Sequence, residues 1–139
     1  MFQKILVPLD LTARHQPALQ VATEFARQSK GEITLLHVIE VIPGLSMEEE
    51  REFYNRLEKK ARAHLSRLGG RLKDRSVPWR EEVVYGHRVS EALRFATASG
   101  VDVIVLTAPR FDPSNVGAGW GSLSYKVSVV APCPVLLVK

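Results

Sequence analysis

Apolar positions along the chain follow two alternating periods. Short, nearly unbroken apolar runs at residues 5–9, 33–38, 103–106 and 135–138 have the pattern of strands buried on both faces. Residues 79–85 alternate less cleanly but are rich in strand formers, and Gly86 closes them. Between these runs the apolar residues recur at steps of three and four. A helix is predicted over 14–29, with Ala18, Ala22, Phe25 and Ala26 on one face, Pro17 tolerated near its first turn and Gly31 as its stop. Beyond the turn marked by Pro43-Gly44 lies a longer amphipathic helix whose inner face reads Phe53, Leu57, Ala61, Leu65 and Leu68. Gly69-Gly70 is expected to end it, leaving Leu72 outside. Shorter helices are predicted over 89–99, stopped by Gly100, with Ala92, Leu93 and Ala96 inward, and over 122–130.

Five strands joined by helices of this length imply an α/β fold, a single-domain open parallel sheet with helices on both faces, because parallel neighbours require a crossover between them. In such sheets ligands bind at the carboxyl ends of the strands where the strand order reverses. Those ends deliver Pro8, Leu9 and Asp10, then His37 and Val38, then the loop APRFDPSNVGAGW leading to Gly121-Ser122. A strand that feeds a loop and then a helix N-terminus suits a phosphate, since first-turn amides and the helix dipole favour an anion. The loop itself is poorly built for that task. Pro109 and Pro113 lack an N–H, Phe111 adds bulk, and the glycines (Gly117, Gly119, Gly121) cluster beside the helix.

Composition narrows the alternatives. The 139 residues, 45% of them hydrophobic, fit one globular domain spanning 1–139. The opening residues are too briefly apolar for a signal peptide or a membrane span, so a cytoplasmic location is expected. Cys133 is the only cysteine, and no Cys/His spacing suits zinc, so no disulfide or metal is expected. The net charge of +4 comes mostly from residues 46–75, which hold nine basic and six acidic residues with the acids leading. That order complements a helix dipole, and a solvated helix face accounts for it without nucleic acid.

Candidate chemistry is sparse. His37 lies within an apolar strand and reads as a hydrogen-bonded core histidine. Cys133, between two prolines, reads as a small buried residue. His15 and His87 stand at helix starts with no partner visible in the sequence. No acid, base and nucleophile set can be assembled, so enzymatic activity is not expected.

The segments KILVPLD, ITLLHV, VVYGHRVSEAL, VDVIVLTA and GSLSYKVSVVAPCPVLLVK resemble the universal stress protein family of the UspA type along the whole chain. The resemblance implies a Rossmann-like sheet of order 3-2-1-4-5, related to the adenine nucleotide alpha hydrolases, and a homodimer through the C-terminal strand. Many members bind ATP through G-x2-G-x9-G-[ST]. Anchored on Gly121-Ser122, that motif asks for glycine at 108 and 111, where this chain has Ala108 and Phe111. A Cβ-bearing residue forced into left-handed geometry costs roughly 1–2 kcal/mol, which argues against the usual triphosphate cradle. What carries over is Pro8 and Leu9 at the first strand end, Asp10 for ribose and Val38 for adenine. Ala108 and Arg110 in the loop, with Gly121, Ser122, Leu123 and Ser124, carry over for phosphate. Asp10 and Thr12 serve equally as local caps, Ser122 as a helix N-cap, and Arg110 as a solvated loop residue.

Three functions follow. The first is a dimeric stress-response module that acts through an unidentified protein partner without a cofactor. The second is an ATP- or AMP-binding regulator in which Gly117, Gly119 and Gly121 rebuild a phosphate nest in a shifted register. The third, ranked last, is a slow ATP hydrolase.

Overall fold

The computed structural model describes residues 1–110 and 112–139, with the side chains of Val116 and Ala118 left aside. Strands β1 (Lys4–Pro8), β2 (Glu32–Ile39), β3 (Trp79–Tyr85), β4 (Val103–Thr107) and β5 (Val135–Val138) form one parallel sheet in the order β3-β2-β1-β4-β5. The helices are α1 (Gln16–Ser29), α2 (Arg51–Asp74), α3 (Arg88–Ala98) and α4 (Leu123–Val130), with 3₁₀ turns at Ala13–His15 and Val116–Gly119. The predicted topology is the observed one.

Alternation along the central strands creates a core on each side of the sheet. Ile5, Val7, Ile33 and Leu35 face α1 and α2 and meet Ala22, Leu65 and Leu72. Leu6, Leu36, Ile104 and Leu106 face the opposite side and meet Ala92, Ala96 and Val127 of α3 and α4. The small alanines on α1 and α3 let each helix axis approach the sheet closely.

Helix α2 departs from the predicted reading at both ends. It runs through Gly69-Gly70 to Asp74, and Leu72 is buried inside it. A Cβ at Gly69 would stand 2.2 Å from the Trp79 ring of β3, so this glycine admits an indole against the helix rather than ending it. Near the start, Tyr54 and not Phe53 is the buried residue. Its hydroxyl accepts from the Ile42 amide at 2.9 Å and donates to the Leu45 carbonyl at 2.6 Å, which ties down the turn between β2 and α2. At the end of α1 the left-handed residue is Lys30, with φ 56°. Gly31 instead is needed because a Cβ there would meet the Gln3 carbonyl oxygen at 2.6 Å. No described helix is long and apolar enough to cross a membrane.

Candidate functional site at the carboxyl ends of the central strands

Strand order reverses between β1 and β4, and a cleft of about 500 Å³ opens there, within the range typical of small-molecule sites. Pro8, Leu9, Val38 and Leu123 give it apolar walls, while Asp10, Gly121, Ser122 and Ser124 bring polar groups to its rim. Eight of the ten candidate residues are thus brought together by the ends of β1 and β2 and the start of α4. Ala108 and Arg110 are not. The Ala108 amide donates to the Val138 carbonyl at 2.8 Å, so it extends the β4–β5 ladder instead of pointing at a ligand. Arg110 is exposed and outside the cleft lining. The motif position at Phe111 lies outside the described residues.

Asp10 organises the turn after β1. Its Oδ1 accepts from the Thr12 amide at 2.9 Å and its Oδ2 from Arg14 Nε at 3.1 Å. Partial burial alone would raise its pKa, but the Thr12 hydroxyl and amide and the His15 imidazole outweigh that effect and hold the carboxyl well below the usual range. Asp10 thus closes a turn onto Thr12 rather than capping a helix, since neither Thr12 before the 3₁₀ turn nor His15 before α1 makes a side-chain cap bond, and it also lines the cleft as an ionised acceptor.

His15, which had no visible partner in the sequence, is 8% exposed and central to this cluster. Its Nε2 lies 2.9 Å from Asp10 Oδ1 and 3.4 Å from the Asp10 amide nitrogen. Nε2 cannot donate to one and accept from the other in a single tautomer, and the shorter contact with an ionised carboxylate decides for a protonated Nε2. On the other side, Nδ1 lies 2.7 Å from the Thr107 hydroxyl at the end of β4. Burial is the main influence that lowers the His15 pKa, Asp10 opposes it, and Arg14 lowers it further. An aspartate, a histidine and a hydroxyl are thus aligned along the cleft floor, a set the sequence could not assemble because Thr107 lies 92 residues from His15.

The other polar groups are more local. His37 is half-buried and its Nδ1 donates to the Leu9 carbonyl at 2.8 Å, as a hydrogen-bonded strand histidine should. Glu40 and Arg88 pair at 3.1 Å on the far rim. Cys133 has its thiol pKa raised by burial, then by the Asp102 charge, which suits a packing residue.

At the helix end, Ser122 is the N-cap of α4, accepting from the Tyr125 amide at 3.2 Å while its hydroxyl donates to the Gly119 carbonyl at 2.6 Å. The amides of Leu123 and Ser124 belong to the first turn, where no helix carbonyl is available to them. An anion beside them gains both donors and the dipole. The shifted glycine nest is absent. Gly117, Gly119 and Gly121 all lie outside the left-handed region, and Gly119 is packed so that a Cβ would meet Pro109 Cγ at 2.8 Å. Among the described residues no His/Cys/Asp/Glu cluster could hold a metal.

The sequence model described as the universal stress protein family matches residues 1–139. The chain belongs to that family. A universal stress protein of Thermus aquaticus is 32% identical over 145 residues, with each chain covered in full. The solved MJ0577 of Methanocaldococcus jannaschii is 27% identical, with a TM-score of 0.83 and coverage of 100% of this chain and 97% of that one. Two further neighbours share the fold. The Archaeoglobus fulgidus universal stress protein in complex with dAMP has 19% identity, a TM-score of 0.74 and full coverage of both chains. A universal stress protein in complex with cAMP has 18% identity, a TM-score of 0.76 and coverage of 99% and 96%.

Proposed function

We propose that this universal stress protein is a non-catalytic regulatory module whose cleft takes an adenine nucleotide bearing a single phosphate, and that it signals to protein partners as a homodimer. The observation that carries this reading is the pairing of an ionised Asp10 with the open first turn of α4 across an apolar cleft. In this reading Asp10 accepts from ribose hydroxyls, Pro8 and Val38 flank the base, and the Ser124 hydroxyl and the first-turn amides of Leu123 and Ser124 receive the phosphate, while Ser122, whose amide and hydroxyl both donate to the Gly119 carbonyl, holds that turn in place. The complexes of its fold neighbours with dAMP and cAMP support the same ligand class. A longer phosphate chain would run toward the β4 end of the loop, where the Ala108 amide is already bonded and Pro109 has none to offer.

The exposed apolar residues Trp120, Val129, Val130 and Leu137 lie on or beside α4 and the edge strand β5. An open edge with apolar neighbours favours pairing with a second copy. The engaged loop also favours a second reading, in which the dimer acts on partners with no nucleotide at all.

Calorimetry with AMP, cAMP and ATP separates these. AMP or cAMP is expected to bind, with ATP at least tenfold weaker. At 100 times Kd the ligand should stabilise the fold by about 2.7 kcal/mol. ATP binding tighter than AMP would overturn the single-phosphate reading, and no binding by any of them would leave the partner-only module.

A further inference from the structure

Beyond holding Asp10 in place, His15 is suited to reading what occupies the cleft. Thr107 has one hydroxyl hydrogen, and the state of His15 decides where it points. With Nε2 protonated toward Asp10 and Nδ1 bare, the Thr107 O–H donates to Nδ1 across 2.7 Å, and only oxygen lone pairs remain for the cleft. When Nδ1 also carries a proton, the same contact reverses. Nδ1–H then donates to Thr107 Oγ1, and the hydroxyl hydrogen is released toward the cleft that Thr107 shares with Ser122 and Ser124. One added proton therefore turns a floor that repels a phosphate oxygen into one that donates to it.

We propose that His15, acting through Thr107, is the residue by which the cleft distinguishes a phosphomonoester from an unphosphorylated nucleoside, taking up a proton as the phosphate binds. The inference rests on the nucleotide reading given above and deepens it. His15 is a positioning residue, because Thr107 stands between it and the ligand. Its surroundings allow the change. The Asp10 carboxylate stays ionised at Nε2 and accepts in either state, so the new charge has a partner already in place. Opposing it is Arg14 on its own turn, held on Asp10 Oδ2, while His37 at the end of β2 is hydrogen-bonded to the Leu9 carbonyl. Farther off are His64 on α2 and the mutually paired Glu40 and Arg88, while the β4 and α4 residues in the cleft are neutral. The free site thus favours neutral His15, and a bound dianion supplies the charge that favours the cation. Proton and phosphate then strengthen each other reciprocally.

The test is titration calorimetry of the full chain with AMP and with adenosine between pH 5.5 and 8.5, in buffers of differing ionisation enthalpy. The wild-type protein is expected to take up a fraction of a proton, up to one, with AMP and none with adenosine. Its AMP-to-adenosine affinity ratio should rise by up to about tenfold per pH unit on acidification, relative to H15Q, which carries only the titration of the phosphate itself near pH 6. T107V should lose the pH-dependent gain while retaining adenosine binding, and H37Q should keep it. The proton-uptake measurement needs no variant, so misfolding of H15Q would leave the test intact. AMP binding without proton uptake, or a wild-type ratio parallel to that of H15Q, overturns the role of His15 and leaves nucleotide binding standing. Absence of binding by both AMP and adenosine overturns the two together.

Discussion

Two adjacent glycines in α2 should respond to alanine with opposite signs. Gly70 is exposed, with nothing within 4 Å of a built Cβ, so Gly70→Ala keeps the fold and gains helix propensity. That gain is about 1 kcal/mol. Gly69 is buried, and its Cβ would stand 2.2–2.3 Å from three carbons of the Trp79 ring, against an optimum of roughly 3.5–4.0 Å. The indole is planar, rooted in β3 and packed against the core on the α1/α2 face, so it has to retreat as a body. Overpacking of this kind costs about 1–3 kcal/mol, and the upper end applies to a rigid ring. After subtracting the same propensity gain, Gly69→Ala should be destabilised by about 2 kcal/mol. The two variants should therefore differ by about 3 kcal/mol, or roughly 6–12 °C in Tm. Urea and thermal unfolding measure the gap, and Trp79→Phe should narrow it by making room for the methyl group. If Gly69→Ala proved as stable as Gly70→Ala, the claim that this glycine exists to admit Trp79 would be wrong.

Other consequences can be checked separately. The Asp10 carboxyl has its pKa depressed in the folded state, so its contribution to stability is complete above the unfolded value near pH 3.8 and fades as pH falls below it. Asp10→Asn should therefore lower stability at pH 7 and flatten the acid limb of the stability curve, and an unchanged limb in acid titration would count against the network. Ser122→Ala removes the acceptor for the Tyr125 amide and should cost about 1 kcal/mol in chemical denaturation, with weaker AMP binding in calorimetry. In sedimentation velocity the wild type is expected to run as a dimer, and Val129→Glu, which places a charge on the apolar surface beside β5, as a monomer, with Tm little changed. A wild-type monomer would remove the dimer from the proposed function.

Local periodicity was enough to read the strands and the helices, because steps of two and of three or four record which face of an element is buried, whereas the sheet order that places the cleft came from the family resemblance. The cap at Ser122 was legible for the same reason, since its bonds reach only to neighbours three residues away. Distant contacts were not legible. Gly69-Gly70 looks like a helix end until Trp79 is known to lie against it. Phe53 and Tyr54 compete for one face, and the decision falls to Tyr54 because its hydroxyl finds the turn at Ile42 and Leu45. Ala108 resembles a lost phosphate ligand, but the ladder to Val138 had already claimed its amide.

By itself, then, the sequence determined an alternating α/β chain with an anion-favouring helix start and a loop whose strand end lacks the motif's glycines at positions 108 and 111. Tertiary structure decided what the cleft can do. It set Thr107 against His15 and His15 against Asp10, through a sheet order that brings β4 beside β1. Periodicity records burial along one element, whereas a polar chain between elements depends on which strand lies next to which.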